Sequence, residues 1–208
     1  MISHADLAAL CARSYDASAT WDFVHEAPGI RLTVQRTDDG DVCVLRGSET
    51  IEDWFENFWA RPTRLPGPLA SLGYVDYGFA NDIPAALAAV LPVLGPRVHV
   101  TGHSRGAAQG ANLAGALALS GLTPASCITF GQPRPGFREL AEFLTHSGMS
   151  LTAYANKGDP VPLVPDLLGL YVNAPALTWI NVDPDPNDAD LLFRCHHIEL
   201  YQRGVSQT

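Results

Sequence analysis

Gly102-His103-Ser104-Arg105-Gly106 is the segment with the clearest chemical potential. A serine hydroxyl becomes a nucleophile only when a base can take its proton and a sharp turn exposes the oxygen. The residues on either side supply such a turn. Arg97 to Thr101 reads as a compact strand closed by Gly102, and Ala107 to Leu119 reads as an Ala-rich helix stopped by Gly121. A strand-to-helix turn of this kind leaves no room for a Cβ at Gly102 or Gly106. The first turn of the helix also offers unpaired N–H groups to negative charge developing beside Ser104.

The histidines downstream of Ser104 are His146, His196 and His197. His146 falls in a polar helix end ahead of most of the carboxylates. In nucleophile-elbow hydrolases the chain order is serine, acid, histidine, and parallel sheets place their sites at the carboxyl ends of strands. Asp159 meets both conditions, because Asn156-Lys157-Gly158-Asp159-Pro160-Val161-Pro162 follows a strand ending near Ala155. Asp166, Asp183, Asp185, Asp188 and Asp190 follow no strand end and read as solvated loop charges.

Elements that can position these groups alternate along the chain. Ser3 or Asp6 opens a short helix reaching Tyr15. Ile30 to Arg36 alternates apolar and polar residues, Asp38-Asp39-Gly40 turns the chain, and Val42 to Leu45 completes a hairpin. Ile51, Trp54, Phe55 and Phe58 recur at helical spacing between Thr50 and Trp59. Arg61 to Gly73 reads as loop and Phe79 to Leu94 as helix. Ser126 to Phe130 and Ser150 to Ala155 read as strands, with Phe137 to His146 as a helix between them. The stretch from Asp183 to Asp190 reads as loop, and Leu191 to Arg203 ends in a helix. Strand and helix in alternation imply an α/β domain, a mostly parallel sheet covered on both faces. One compact domain over residues 1–208 is expected.

Composition narrows the function classes. Hydrophobic residues are 47% and charged residues 17%, enough apolar side chain for a sizeable core. Thirteen Lys+Arg against 22 Asp+Glu give a formal charge of −9, and no basic stripe is visible, so nucleic acid is not an expected partner. Cys11, Cys43, Cys127 and Cys195 are too scattered for a zinc site and read as free thiols; no metal or cofactor is expected. The first residues lack a basic leader and no apolar run reaches bilayer length, from which a cytoplasmic protein is expected. Oligomeric state is left open.

Several motifs occur together in one order. Arg46-Gly47-Ser48 precedes Asp53-Trp54 and Gly78-Phe79. Thr101-Gly102-His103-Ser104, Thr129-Phe130-Gly131-Gln132-Pro133-Arg134 and Asp159-Pro160-Val161-Pro162 follow, then His196-His197-Ile198-Glu199-Leu200-Tyr201. From about Val42 to Tyr201 the chain resembles the class 3 lipases, the fungal triacylglycerol lipases and plant phospholipase A1-type acylhydrolases. The resemblance implies an α/β-hydrolase fold and hydrolysis of acyl-lipid esters through an acyl-serine. Carried over by position, Ser104 is nucleophile, Asp159 the orienting acid and His196 the base, with His197 the rival. Ser48 and the N–H of Arg105 form the oxyanion hole. The Ile51–Trp59 segment becomes a cover that meets lipid when open, against the alternative that it packs in the core, and Arg46 pairs with Asp53. Arg105 departs from the pattern, which has an apolar residue there. Its guanidinium is either tied to a carboxylate or set to receive an acidic head group or acyl-chain carboxylate. Rival readings are a phospholipase A1-type or small-ester esterase, a serine peptidase on the same fold, and a lipid-binding pseudo-hydrolase.

Overall fold

The computed structural model describes residues 2–48, 60–188 and 191–206. A seven-stranded sheet is its frame, with spatial order β1 (Phe23–Ala27), β2 (Ile30–Thr37), β3 (Gly40–Leu45), β6 (Val98–His103), β7 (Ser126–Phe130), β8 (Ser150–Asn156) and β9 (Leu177–Ile180). A second sheet pairs β4 (Pro62–Thr63) with β5 (Val75–Asp76). The first three strands of the large sheet run antiparallel and everything from β3 to β9 is parallel. Parallel neighbours need long crossovers, and helices α4 (Arg105–Leu119) and α5 (Arg138–His146) provide them.

Side chains alternate across the sheet with a period of two, and the sequence fills both faces. Cys43 and Leu45 face one core with Ile83, Ala86 and Val90 of α3 (Ile83–Val90), Leu113 and Leu117 of α4, and Leu140 and Leu144 of α5. Val42 and Val44 face the other, with Leu7, Ala8 and Cys11 of α1 (His4–Arg13) and Ile198, Tyr201 and Val205 of α6 (Ile198–Val205). Strands β6 and β7 are buried along their whole length, as central strands covered on both sides must be.

Local chemistry sets the helix ends. Ser3 Oγ accepts the Asp6 N–H at 3.1 Å while Asp6 Oδ2 accepts the Ser3 N–H at 3.2 Å, a reciprocal capping box that starts α1. One long helix expected from the sequence is broken up in the structure. Phe79 to Leu94 divides into α2 (Tyr77–Ala80), α3 and a 3-10 turn over Leu91–Val93, since Asn81-Asp82 and Pro92 interrupt the ladder. Leu191 to Arg203 ends in a helix as expected: residues 191–195 are turn, and α6 begins at Ile198. The Ile51–Trp59 cover and the Arg46–Asp53 pair fall outside the described residues. No helix among those described is long and apolar enough to cross a membrane.

Candidate active site

Ser104 stands at the junction of β6 and α4 with φ 58° and ψ −133°, in the positive-φ region that side chains rarely enter. Its N–H donates to the Phe130 carbonyl at 2.9 Å, tying the turn to the end of β7. Such a turn works because its flanks carry no Cβ. One on Gly102 would lie 2.6 Å from the Gly106 carbonyl carbon, and one on Gly106 would press into the backbone of Leu45 and Arg46. Ser104 is 2% exposed, and its Oγ has no hydrogen-bond partner among the described residues.

Asp159 lies just beyond β8 and is buried. Its Oδ1 accepts the Val161 N–H at 2.9 Å; Oδ2 accepts His196 Nδ1 at 2.7 Å and the Tyr201 hydroxyl. A carboxylate only accepts, so His196 donates from Nδ1, and in the neutral ring Nε2 keeps its lone pair. That Nε2 is buried and has no partner among the described residues, the same condition as Ser104 Oγ. His197 points elsewhere. Its side chain is half-exposed and its Nε2 lies 3.1 Å from Asp188 Oδ2.

The backbone around His196 is clamped by residues that motif reading did not single out for this role. Asn156 Nδ2 donates to the Cys195 carbonyl at 3.2 Å, and the His196 carbonyl lies 2.8 Å from His103 Nε2. A carbonyl only accepts, so His103 carries its proton on Nε2 and its Nδ1 accepts from the Tyr15 hydroxyl at 2.8 Å. Gly47 backs directly onto the same hydroxyl, leaving no room there for a Cβ, so Tyr15 on the α1 side joins the Arg46–Ser48 loop to the support of His196. Burial and the adjacent His196 ring, 4.7 Å away between centroids, hold His103 well below the ordinary imidazole range. Burial and the Asp159 charge push the Tyr201 hydroxyl well above its ordinary value, so it stays a donor. The only advance signal was Tyr201 itself, five residues after His196.

Ser48 and Arg105 both line a cleft of about 570 Å³. Arg105 is the first residue of α4, where a helix has no internal acceptor for the N–H. Its side chain turns to the β1–β2 connection, donating from Nη2 to the Gly29 carbonyl near Asp82. Gln109 Nε2 donates to that carbonyl too, at 2.8 Å. Asp166, read as a solvated charge, pairs with Arg134 at 2.9 Å.

Residues 42–168 match the family model for lipase (class 3). The secreted mono- and diacylglycerol lipases A of Penicillium cyclopium and Penicillium camembertii are each 30% identical over 165 residues, covering 76% of this chain and 52% of theirs. The chain thus spans about half the length of these curated relatives. Rhizomucor miehei lipase, in its native propeptide complex, superposes with a TM-score of 0.69 at 26% identity, covering 84% of this chain and 66% of that one. The cytoplasmic location expected from the first residues is overturned by the two Penicillium relatives, both secreted.

Proposed function

The chain belongs to the class 3 lipase family and has its α/β-hydrolase fold, and from that premise we propose that it hydrolyses carboxylic esters of acyl lipids at Ser104. The observation that carries this reading is the buried His196–Asp159 hydrogen bond of 2.7 Å, together with a serine at positive φ whose Oγ, like His196 Nε2, is buried and without a partner among the described residues. Ser104 Oγ attacks the ester carbonyl carbon while His196 Nε2 takes its proton. The tetrahedral oxyanion receives hydrogen bonds from Ser48 and the Arg105 N–H, a kind of stabilisation worth roughly 3–4 kcal/mol per donor. The intermediate collapses as His196 returns the proton to the departing alcohol oxygen, leaving an acyl-serine. Water then repeats the sequence, with His196 as base for the attack and acid for release of Ser104. Asp159 fixes the imidazole tautomer throughout and stabilises the imidazolium.

The mono- and diacylglycerol specificity in the relatives' names supports glycerides as first substrates to try. The test is a panel of diacylglycerol and p-nitrophenyl esters of rising chain length, assayed below and above each solubility limit. Turnover by the purified chain that disappears in Ser104→Ala supports the reading. No turnover on any ester by folded protein refutes it.

A further inference from the structure

The cleft shared by Ser48 and Arg105 carries charge that ester hydrolysis alone does not require. Among the described residues its lining includes Arg31, Arg46 and Arg105 against one acid, Glu26. Three cations less one anion give the described lining residues a formal charge of +2, in a chain whose formal charge is −9.

Structural pairing does not use up the donors of Arg31 and Arg105. Arg31 meets Glu26 at 3.4 Å, a loose contact with a carboxylate whose side chain is 55% exposed, and Arg31 Nε is buried with no acceptor among the described residues. A guanidinium has five N–H donors. The side chain of Arg105 makes one hydrogen bond among the described residues, to the Gly29 carbonyl. The acid that acts on it is Asp82, which packs against Gly29 and is not part of the cleft lining. Arg46 has a further partner and contributes field more than donors.

Position gives the cleft its meaning. Ser48 and Arg105 supply the backbone that faces the ester carbonyl and also line the cleft, so a group a few bonds from that carbonyl falls within it. Guanidinium forks match the planar or tetrahedral oxygens of carboxylates and phosphates, and a partly desolvated setting strengthens such contacts. We propose that the cleft binds an oxyanionic group carried by the ester substrate, a phosphate or a carboxylate, with Arg31 and Arg105 as its ligands. The proposal rests on the ester-hydrolase reading above and adds selection for negatively charged esters over neutral ones.

Two matched pairs of soluble esters test this and separate the two sources of charge. Dihexanoyl phosphatidic acid is compared with dihexanoylglycerol, and the p-nitrophenyl hemiester of glutaric acid with p-nitrophenyl butyrate. The quantity read is the ratio of kcat/KM, anionic over neutral, in the wild-type chain, Arg31→Gln and Arg105→Leu. The ratio cancels losses from poor folding. At low salt the wild-type ratio is expected to be about ten or more for one pair, and each variant to lower it roughly tenfold, the scale of one charge-assisted hydrogen bond. Preference in the first pair assigns a head-group phosphate and in the second an acyl carboxylate. About 0.5 M salt should shrink the ratio. Wild-type ratios near one in both pairs, or a ratio unmoved by both substitutions, overturn the proposal while leaving ester hydrolysis standing. Failure to hydrolyse any of the four esters refutes the underlying reading, and the proposal falls with it.

Discussion

Tyr201→Phe removes one oxygen atom, and the structure gives its consequences separately for stability and for catalysis. The hydroxyl donates to Asp159 Oδ2 and accepts the Asn156 N–H at 3.1 Å, in a fully buried setting. Phenylalanine keeps the ring contacts with Phe130 and leaves the Asn156 N–H stranded. A hydrogen bond to a charged acceptor contributes roughly 1.5–3 kcal/mol and a neutral one about 1 kcal/mol. The variant should therefore lose on the order of 2–4 kcal/mol, or roughly 5–15 °C in melting temperature for a chain of this size. Catalysis should suffer less. Asp159 keeps the Val161 N–H at 2.9 Å and His196 Nδ1 at 2.7 Å, so the imidazole retains its tautomer with a less firmly held partner. A loss of about tenfold in kcat/KM is expected, against about 10⁴-fold for removal of a member of the triad. Chemical denaturation and initial-rate kinetics on one soluble ester measure both numbers. A change below about 0.5 kcal/mol, or an activity loss as deep as that of Ser104→Ala, would refute this account of Tyr201.

His196→Ala should abolish turnover and add little to the loss in Ser104→Ala when the two are combined, whereas His197→Ala, which removes only a surface contact with Asp188, should stay active. The opposite ranking in initial rates would make His197 the base. Stability should fall as pH drops below the ordinary histidine value of 6.5: His103 is held well below it, so the native state resists the proton that the unfolded chain takes up. Burial lowers His4 and His99 in the same direction, so in thermal melts across pH His103→Asn should flatten this slope without erasing it. Gly131→Ala would place a methyl 2.6 Å from His196 Cε1 at a backbone φ of +59°, and should cost most of the activity through displacement of the ring. An active Gly131→Ala of normal stability would contradict the packing described.

The elbow was legible because its constraint is steric and local: a serine between two glycines, after a strand and before small helical residues, has few other uses. Asp159 was legible because it follows a strand and precedes Pro160 and Pro162. Tyr15 and His103 were not, since their joint role depends on bringing together positions 88 residues apart, and no local pattern encodes that. β9 escaped notice because four residues with only Ile180 fully buried make no clear alternation. The helix expected at the end of Leu191 to Arg203 begins at Ile198, after a turn in which the His196 N–H bonds the Phe193 carbonyl and the ring is set against Asp159.

The central claim, that Ser104 is a nucleophile activated by His196 and Asp159, is tested most directly by reaction with a fluorophosphonate, which phosphonylates only an activated serine. Intact-mass and peptide-level spectrometry should find one adduct per chain, on Ser104. The adduct should be absent from Ser104→Ala and formed far more slowly in His196→Ala. A wild-type chain that stays unlabelled, or equal labelling of Ser104→Ala, would contradict the account.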